Sequence, residues 1–377
     1  MTAVPDLLDT LLRGTRAEIE AAGTAVAATL GRGDADVVGR ADRALRDGSA
    51  SLRRTPDGGY DLVVGPRTWR AGRFTTPTLA ELRAAAAAAP TDDPGDAPAG
   101  ATLSVLVGAH PLTDIGALQA FAARDTLFQV ASQLNCLEAP SPRLVPVPEY
   151  LSDPTQGPRA AIGAFPGALL RHHAAPDGAG GTFVQTDDRQ VELLADALPA
   201  RIGRAVGGYL RPGDLADVDA VVRALAERRE DIRVGVHDDV EVALGASWRG
   251  SVPPGTRIAQ VCTSTLASGL YGDGRPPTGA LLDVARTLLR AAYLGTLLAA
   301  AATGRRRVVL TLIGGGVFGN PHSTILGAID WALTEYAGAS AGPLDVVLNA
   351  RELDPGVDLD QLRDRCERRG GKLRRAA

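Results

Sequence analysis

Two carboxylates and a run of glycines are the residues in this 377-residue chain whose surroundings suit chemistry. The glycines stand in Leu312-Ile313-Gly314-Gly315-Gly316-Val317-Phe318-Gly319-Asn320-Pro321, where an apolar strand runs into a loop and a helix opens soon after. Glycine lets a backbone approach an anion closely, and a helix N-terminus offers it unpaired N–H groups. Four glycines in six residues set the stretch apart from an ordinary strand–helix turn. Glu138 closes a second stretch, Phe128-Gln129-Val130-Ala131-Ser132-Gln133-Leu134-Asn135-Cys136-Leu137-Glu138, in which a strand turns into a polar loop. Asp153 belongs to a third, Tyr150-Leu151-Ser152-Asp153-Pro154-Thr155-Gln156-Gly157-Pro158. Glycine before proline suits both a helix start and an anion site, and the helix dipole favours a carboxylate just upstream. Taken singly, Asp153 reads equally as a turn residue and Asn135 as a turn former.

The glycine stretch also fits Gly-x-Gly-x-x-Gly, the dinucleotide fingerprint of an NAD(P)-dependent oxidoreductase. That reading fits badly. Only about one helix and one strand follow, and the strand that should end in a ribose-binding acid ends at Leu348-Asn349.

Other chemistry is excluded by composition. Lys372 is the single lysine, so neither a core Schiff-base lysine nor a Gly-Lys-Ser phosphate loop can be built. Cys136, Cys262 and Cys366 are far apart and odd in number, which is neither a disulfide framework nor a zinc spacing. The five histidines share no ligand spacing, and the adjacent His172-His173 reads as a surface helix end; no metal or cofactor is expected. A net charge of −4 gives no reason to expect nucleic acid or an anionic membrane as partner. The longest apolar stretch, Ala291–Ala302, is too short to span a bilayer, and the N-terminus lacks a signal-peptide pattern. The expected location is cytoplasmic.

The elements that must position these residues follow from periodicity. Residues 1–100 read as an N-terminal α+β region: helical stretches near Pro5–Leu30 and Ala35–Asp47, a hairpin turning at Pro56-Asp57-Gly58-Gly59, and a helix over Thr78–Ala89. Pro90–Gly100 is a linker by composition. From 101 strands and helices alternate, the sign of an α/β layered fold. Strands are expected at Leu103–Val107, Leu127–Ser132, Ile232–Leu244, Arg257–Ser264, Arg307–Ile313 and Leu344–Leu348. Helices are expected at Asp114–Ala123, after Pro158, at Gly279–Thr303 and at Ser323–Tyr336. Gly163, Pro166 and Gly167 predict that the helix after Pro158 is kinked or short. Residues from about 175 to 230 read as a polar, mostly helical insertion, and 351–377 as a basic helical tail. Arg305-Arg306-Arg307 reads as a solvated strand start.

Taken together, Phe128–Glu138, Asp153–Pro158 and Thr311–Asn320 resemble the macrodomain family, and within it the MavL-type ADP-ribosylhydrolases. The resemblance covers 101–350 and extends to Trp69-Arg70-Ala71-Gly72-Arg73-Phe74. It implies a three-layer α/β/α sandwich around a mixed sheet, with ADP-ribose or an ADP-ribosylated protein as partner. It implies hydrolysis at the distal ribose C1″, with arginine as the linkage. A reader that binds ADP-ribose without cleaving it stays open beside that. Carboxylates suit an oxocarbenium-like transition state, so Asp153 and Glu138 are the catalytic candidates, with Asn135 positioning the ribose. Gln133, Gln156, Gly157, Gly314, Gly315, Gly316, Val317, Phe318, Gly319 and Asn320 would bind the substrate. Relatives tend to have Ala-Asp after the first core strand, where this chain has Ala109-His110. His110 and Asp114 are therefore the candidates for the adenine contact.

Overall fold

Apolar side chains along the central strands alternate between two cores. Val308 and Leu310 point into one and Val309 into the other, and Val346, Leu348 and Val347 divide in the same way. Phe128 and Val130 face one core while Leu127 faces the opposite one. A strand buried on both faces must be covered by helices on both, which makes three layers. The computed structural model describes residues 6–30, 34, 36–89, 100–140, 143–245, 252, 255–339 and 342–376. The expected linker, up to residue 99, lies outside the described residues.

In chain order the helices are α1 (Leu7–Arg13), α2 (Arg16–Leu30), α3 (Asp36–Asp47), α4 (Leu79–Ala88), α5 (Ile115–Ala120), α6 (Gln156–Gly163), α7 (Phe165–His173), α8 (Val218–Glu227), α9 (Gly279–Ala302), α10 (His322–Ala337) and α11 (Leu359–Arg368). The strands are β1 (Ala50–Arg54), β2 (Tyr60–Val64), β3 (Arg67–Thr75), β4 (Ala101–Val107), β5 (Thr126–Ala131), β6 (Ala175–Pro176), β7 (Thr182–Phe183), β8 (Gly235–Glu241), β9 (Arg257–Thr263), β10 (Arg307–Leu310), β11 (Leu344–Ala350) and β12 (Leu373–Arg375). Ten of them form one mixed sheet in the order β1-β2-β3-β8-β9-β5-β10-β11-β4-β12. From β9 to β12 every pairing is parallel. From β1 to the β8–β9 pair every pairing is antiparallel. The expected α/β/α sandwich with a mixed sheet is therefore present, and β5, β9, β10 and β11 all end on the same edge.

Residues 1–100 add β1–β3 to that sheet through the β3–β8 pair, and α1 and α3 pack into the common core. The expected first helix is two helices, because the chain is extended at Gly14. The helix after Pro158 is likewise α6 and α7, separated at Ala164, with Pro166 in the first turn of α7 where its missing N–H does no harm. The insertion is not mostly helical. It carries only α8 as an α-helix, because its glycines and prolines favour turns. The tail forms α11 but then returns to the sheet as β12 beside β4.

Two surface expectations fail for the same reason, partners supplied by distant segments. His172 is buried and bonded to the Val145 carbonyl at 3.0 Å, and His173 meets Asp42 at 3.0 Å. Arg305 pairs with Asp238, and Arg307 with Asp6 at 2.8 Å, Asp9 at 3.0 Å and Asp345 at 2.8 Å, so neither is a freely solvated charge. α9 extends well beyond the apolar stretch marked in the sequence. Its 24 residues would suffice to cross a membrane by length and composition, but 83% of its apolar window is buried inside the fold, so it packs as a core helix.

Candidate active site

The shared edge of the parallel strands opens into two adjoining cavities of about 410 and 300 Å³, a usual place for ligands in α/β sheets. Ala131, Gln156, Gly157, Thr311, Leu312 and Gly316 line both, so they form one cleft with two lobes.

One wall is the loop after β10. Gly314 has a φ of 69°, open to glycine at little cost, and an added Cβ would strike Thr265. The loop closes on itself through Gly315 N to Leu312 O at 3.0 Å, Gly319 N to Gly316 O at 2.9 Å and Asn320 N to Gly314 O at 3.0 Å. Asn320 is buried and donates to Leu266 O at 3.1 Å and to Gly314 O at 3.2 Å, so it ties the loop down and lines neither lobe. Gly319 also lies behind the rim. A Cβ at Gly315 would meet His322 Nε2 at 2.6 Å, whereas one at Gly316 would meet nothing within 4 Å. Gly316 is the glycine whose missing side chain leaves the cleft open.

The opposite wall is the start of α6, reached from Asp153. Thr155 caps that helix without a side-chain hydrogen bond, so the first-turn N–H groups are left to face a ligand. At Gly157 any side chain would strike the Ala131 carbonyl and come within 2.7 Å of Glu138 Oε2. Only glycine lets α6 sit this close to the end of β5. Gln156 accepts from Ile115 N at 2.8 Å and donates to Asp114 Oδ2 at 3.3 Å.

Glu138 lies at the floor of the smaller lobe. It is buried, and its Oε1 has no hydrogen-bond partner among the described residues. Burial pushes its carboxyl well above the usual range; the Arg171 charge opposes that shift and the neighbouring Asp153 carboxylate adds to it. Asp153 lines the same lobe, half-buried, with Oδ1 accepting from Thr155 N at 2.8 Å. Gln133 lines it too and donates to Tyr209 Oη at 2.6 Å. Phe318, Tyr271 and Tyr209 wall the lobe, with Tyr209 and Tyr271 stacked at 4.7 Å and Phe318 edge-on to Tyr271 at 5.3 Å. Val317 is exposed at its rim.

The larger lobe mixes apolar Ile115, Leu353 and Pro355 with polar Asn349, Arg351, His322 and Asp354. Arg351 donates to His110 O at 3.1 Å and to Thr113 Oγ1 at 3.2 Å.

Not every candidate faces the cleft. His110 caps a turn, its Nδ1 accepting from Leu112 N at 3.2 Å, and it supports Arg351 from behind rather than lining a lobe. Asp114 is buried against Arg159 at 2.6 Å and caps α5, so its carboxylate is already committed. Asn135 is turned into its own loop, donating to Gln190 at 3.0 Å and accepting from Leu137 N at 3.0 Å; it lines neither lobe. Tyr209, Tyr271, Asn349 and Arg351 were missed. The signal available was composition: tyrosine is scarce, six in the chain, and Tyr209 and Tyr271 each adjoin a glycine, in Gly208-Tyr209 and Tyr271-Gly272. Among the described residues no group of three or more His, Cys, Asp or Glu could hold a metal ion.

No family model matches the chain, and no curated protein matches it in sequence. Among solved structures it is similar to a poly(ADP-ribose) glycohydrolase from Thermomonospora curvata, 15% identical over 88% of this chain and 98% of that one, with a TM-score of 0.45. It is similar to a poly(ADP-ribose) glycohydrolase from Deinococcus radiodurans, 14% identical over 78% of this chain and 93% of that one, with a TM-score of 0.41.

Proposed function

We propose that this chain is a macrodomain-related hydrolase that releases ADP-ribose from ADP-ribosylated protein. The observation that carries the reading is Glu138: a buried carboxyl, its Oε1 without a hydrogen-bond partner among the described residues, packed against the start of α6 across a two-lobed cleft from a glycine loop. Buried carboxyls without a partner are rare in structural roles, and a raised pKa in a cleft is what acid–base chemistry requires.

In this reading the diphosphate lies between the α6 N-terminus and residues 314–316, neutralised by backbone N–H groups rather than lysine. The adenosine half fills the larger lobe beside Arg351 and Asn349. The distal ribose enters the smaller lobe against Phe318 and Tyr271. Glu138, whose carboxyl burial biases toward the protonated form, gives its proton to the leaving atom as the C1″ bond breaks. Asp153, on the same lobe, stabilises the oxocarbenium charge and takes a proton from the attacking water. The sequence resemblance assigns arginine as the linkage.

The test is a panel of Arg-, Ser- and Glu-linked ADP-ribosyl proteins and poly(ADP-ribose), with release of ADP-ribose measured and binding followed by calorimetry. Cleavage of the arginine-linked substrate is expected. Binding of ADP-ribose with no cleavage of any linkage would make the protein a reader, and tight binding of NAD in its place would sink the reading altogether.

A further inference from the structure

Arg171, on α7, is 1% exposed, the largest of the fully buried side chains among the described residues, and it has no carboxylate partner among them. Among those residues its guanidinium meets only neutral acceptors. Nε donates to the Cys136 carbonyl at 3.0 Å, and Nη1 contacts His237 Nδ1 at 2.9 Å and Gln260 Oε1 at 3.5 Å. The tautomer of His237 follows from its other nitrogen. Nε2 lies 2.6 Å from the Ala71 carbonyl, which can only accept, so Nε2 carries the hydrogen and Nδ1 offers a lone pair to Arg171. His237 is thus a neutral ring, and burial holds its pKa down at about 3.

A permanent cation enclosed by neutral groups needs an explanation, since buried charges are ordinarily paired. What Arg171 holds supplies one. Cys136 is one of two non-glycine residues with positive φ among the described residues, at 63°, in the tight turn that carries the chain from Gln133 to Glu138. The turn is pinned at Gln133 N to Leu137 O, 2.9 Å, and Cys136 N to Gln133 O, 2.9 Å. Gln185 braces the same region, donating to both the Arg171 and Asn135 carbonyls.

We infer that Arg171 is the positioning residue of the Glu138 carboxyl: its Nε holds the Cys136 carbonyl, its Nη1 is anchored on His237 and Gln260, and its charge lies under the loop as the distant counter-ion of that carboxyl. The inference rests on the proposed hydrolase reading and deepens it, because it says how one carboxyl is both buried and able to ionise. The charged groups acting on Glu138 are Arg171 on α7 and Asp153 before α6, while Glu138 itself acts on the neighbouring Tyr150, Tyr209, Cys136 and Cys262. Among the described residues Arg171 is the one cation in that set.

The experiment uses the full chain with Arg171→Met, which removes fork and charge, and Arg171→Lys, which keeps the charge and loses the fork. For Arg171→Met a fall in kcat of about a hundred-fold is expected, within the range for displacing an acid–base group, with the Kd for ADP-ribose within about three-fold of wild type. The carboxyl limb of its pH–rate profile should move to higher pH. Arg171→Lys should lose rate while keeping the wild-type limb. Folded Arg171→Met with wild-type kcat and limb overturns the inference. If that variant does not fold, Arg171→Lys decides: unchanged kcat overturns it and a selective loss of kcat supports it. The Glu138 titration, followed by carboxyl NMR in glutamate-labelled protein, reads the effect without turnover. If the wild type cleaves nothing, the hydrolase reading fails, and an upward shift of Glu138 in the variant still shows Arg171 acting on it; no shift overturns the inference separately.

Discussion

The sheet and the helix layer packed on it each bury an arginine, Arg70 on β3 and Arg171 on α7, and they treat it in opposite ways. In the antiparallel half, Arg70 on β3 is surrounded by acids: Asp57, Asp61 at 3.5 Å and Asp239 at 2.9 Å, with Thr55 Oγ1 at 2.8 Å. On α7, which packs against β3 and β8, Arg171 has only neutral acceptors among the described residues, and Oε1 of the nearby Glu138 carboxyl has no hydrogen-bond partner among them. The first arrangement satisfies its charges locally and fastens the β1–β2 turn to β8. The second leaves charge unsatisfied where four strand ends open onto a cleft. Local satisfaction marks architecture, and its absence marks a site held for a ligand.

That contrast breaks most readily at Glu138. Glu138→Gln keeps the size and removes the proton, so turnover should fall by about a hundred- to ten-thousand-fold with little change in ADP-ribose affinity. Asp153→Asn should cost less, because Asp153 is half-buried and already accepts from Thr155 N. Equal wild-type rates in both variants, measured as ADP-ribose release under saturation, would remove the acid–base assignment.

The next largest effect belongs to the glycine loop. Gly316→Glu puts a side chain and a negative charge into open cleft space, and ADP-ribose affinity should drop by about a hundred-fold or more, as a displaced helix-terminus anion site implies. Gly315→Glu is the poorer probe, since its Cβ would already press on His322 and so disturb the fold. Calorimetry on folded Gly316→Glu showing wild-type affinity would place the diphosphate elsewhere.

In the antiparallel half the expected loss is in stability instead. Arg70→Met leaves Asp57, Asp61 and Asp239 facing one another, and the folded state should lose about 2 kcal/mol, discounted because those acids are partly exposed. Its kcat per folded molecule should not change. A kinetic defect in soluble Arg70→Met would show that the two arginine sites are coupled.

The smallest effect sharpens the comparison by its sign. Burial raises the Glu138 pKa in the folded state, so folding stability is lost as pH rises from the ordinary carboxylate range through the raised value. Glu138→Gln removes that loss. Its Tm should exceed the wild-type value at pH above the ordinary carboxylate range, and the gain should shrink as the pH falls back into that range. A Tm gain that grows on acidification instead would mean that the wild-type carboxyl is ionised and paired.

Much of the molecule was legible before any coordinate. Three stretches, ending at Glu138, opening at Asp153 and running through Gly314–Asn320, each contribute to the cleft, because each joins a strand to a turn or helix start with local chemistry strong enough to read. Alternating strands and helices from residue 101 were legible from hydrophobic period alone. The direction of individual side chains within those stretches was not. Asn135 and Glu138 are three residues apart, yet the turn at Cys136 sends one into the loop and the other onto the cleft floor.

What the sequence by itself determined is therefore the chemistry available: backbone donors from glycines in place of lysine, carboxyls of a type suited to acid–base work, and an α/β frame to carry them. Tertiary structure decided which of these meet. Tyr209 and Tyr271 come from segments with no strong period of their own, yet they stack beside Phe318 because the turns of the insertion fold back over the strand ends. β1–β3 joined the sheet through β8, a pairing between residues about 160 apart that no local pattern encodes. The upward shift of the Glu138 pKa arises in the same way. A carboxyl's pKa depends on the water and charges around it, and those are set by packing between α6, α7 and β5 rather than by its neighbours in the chain.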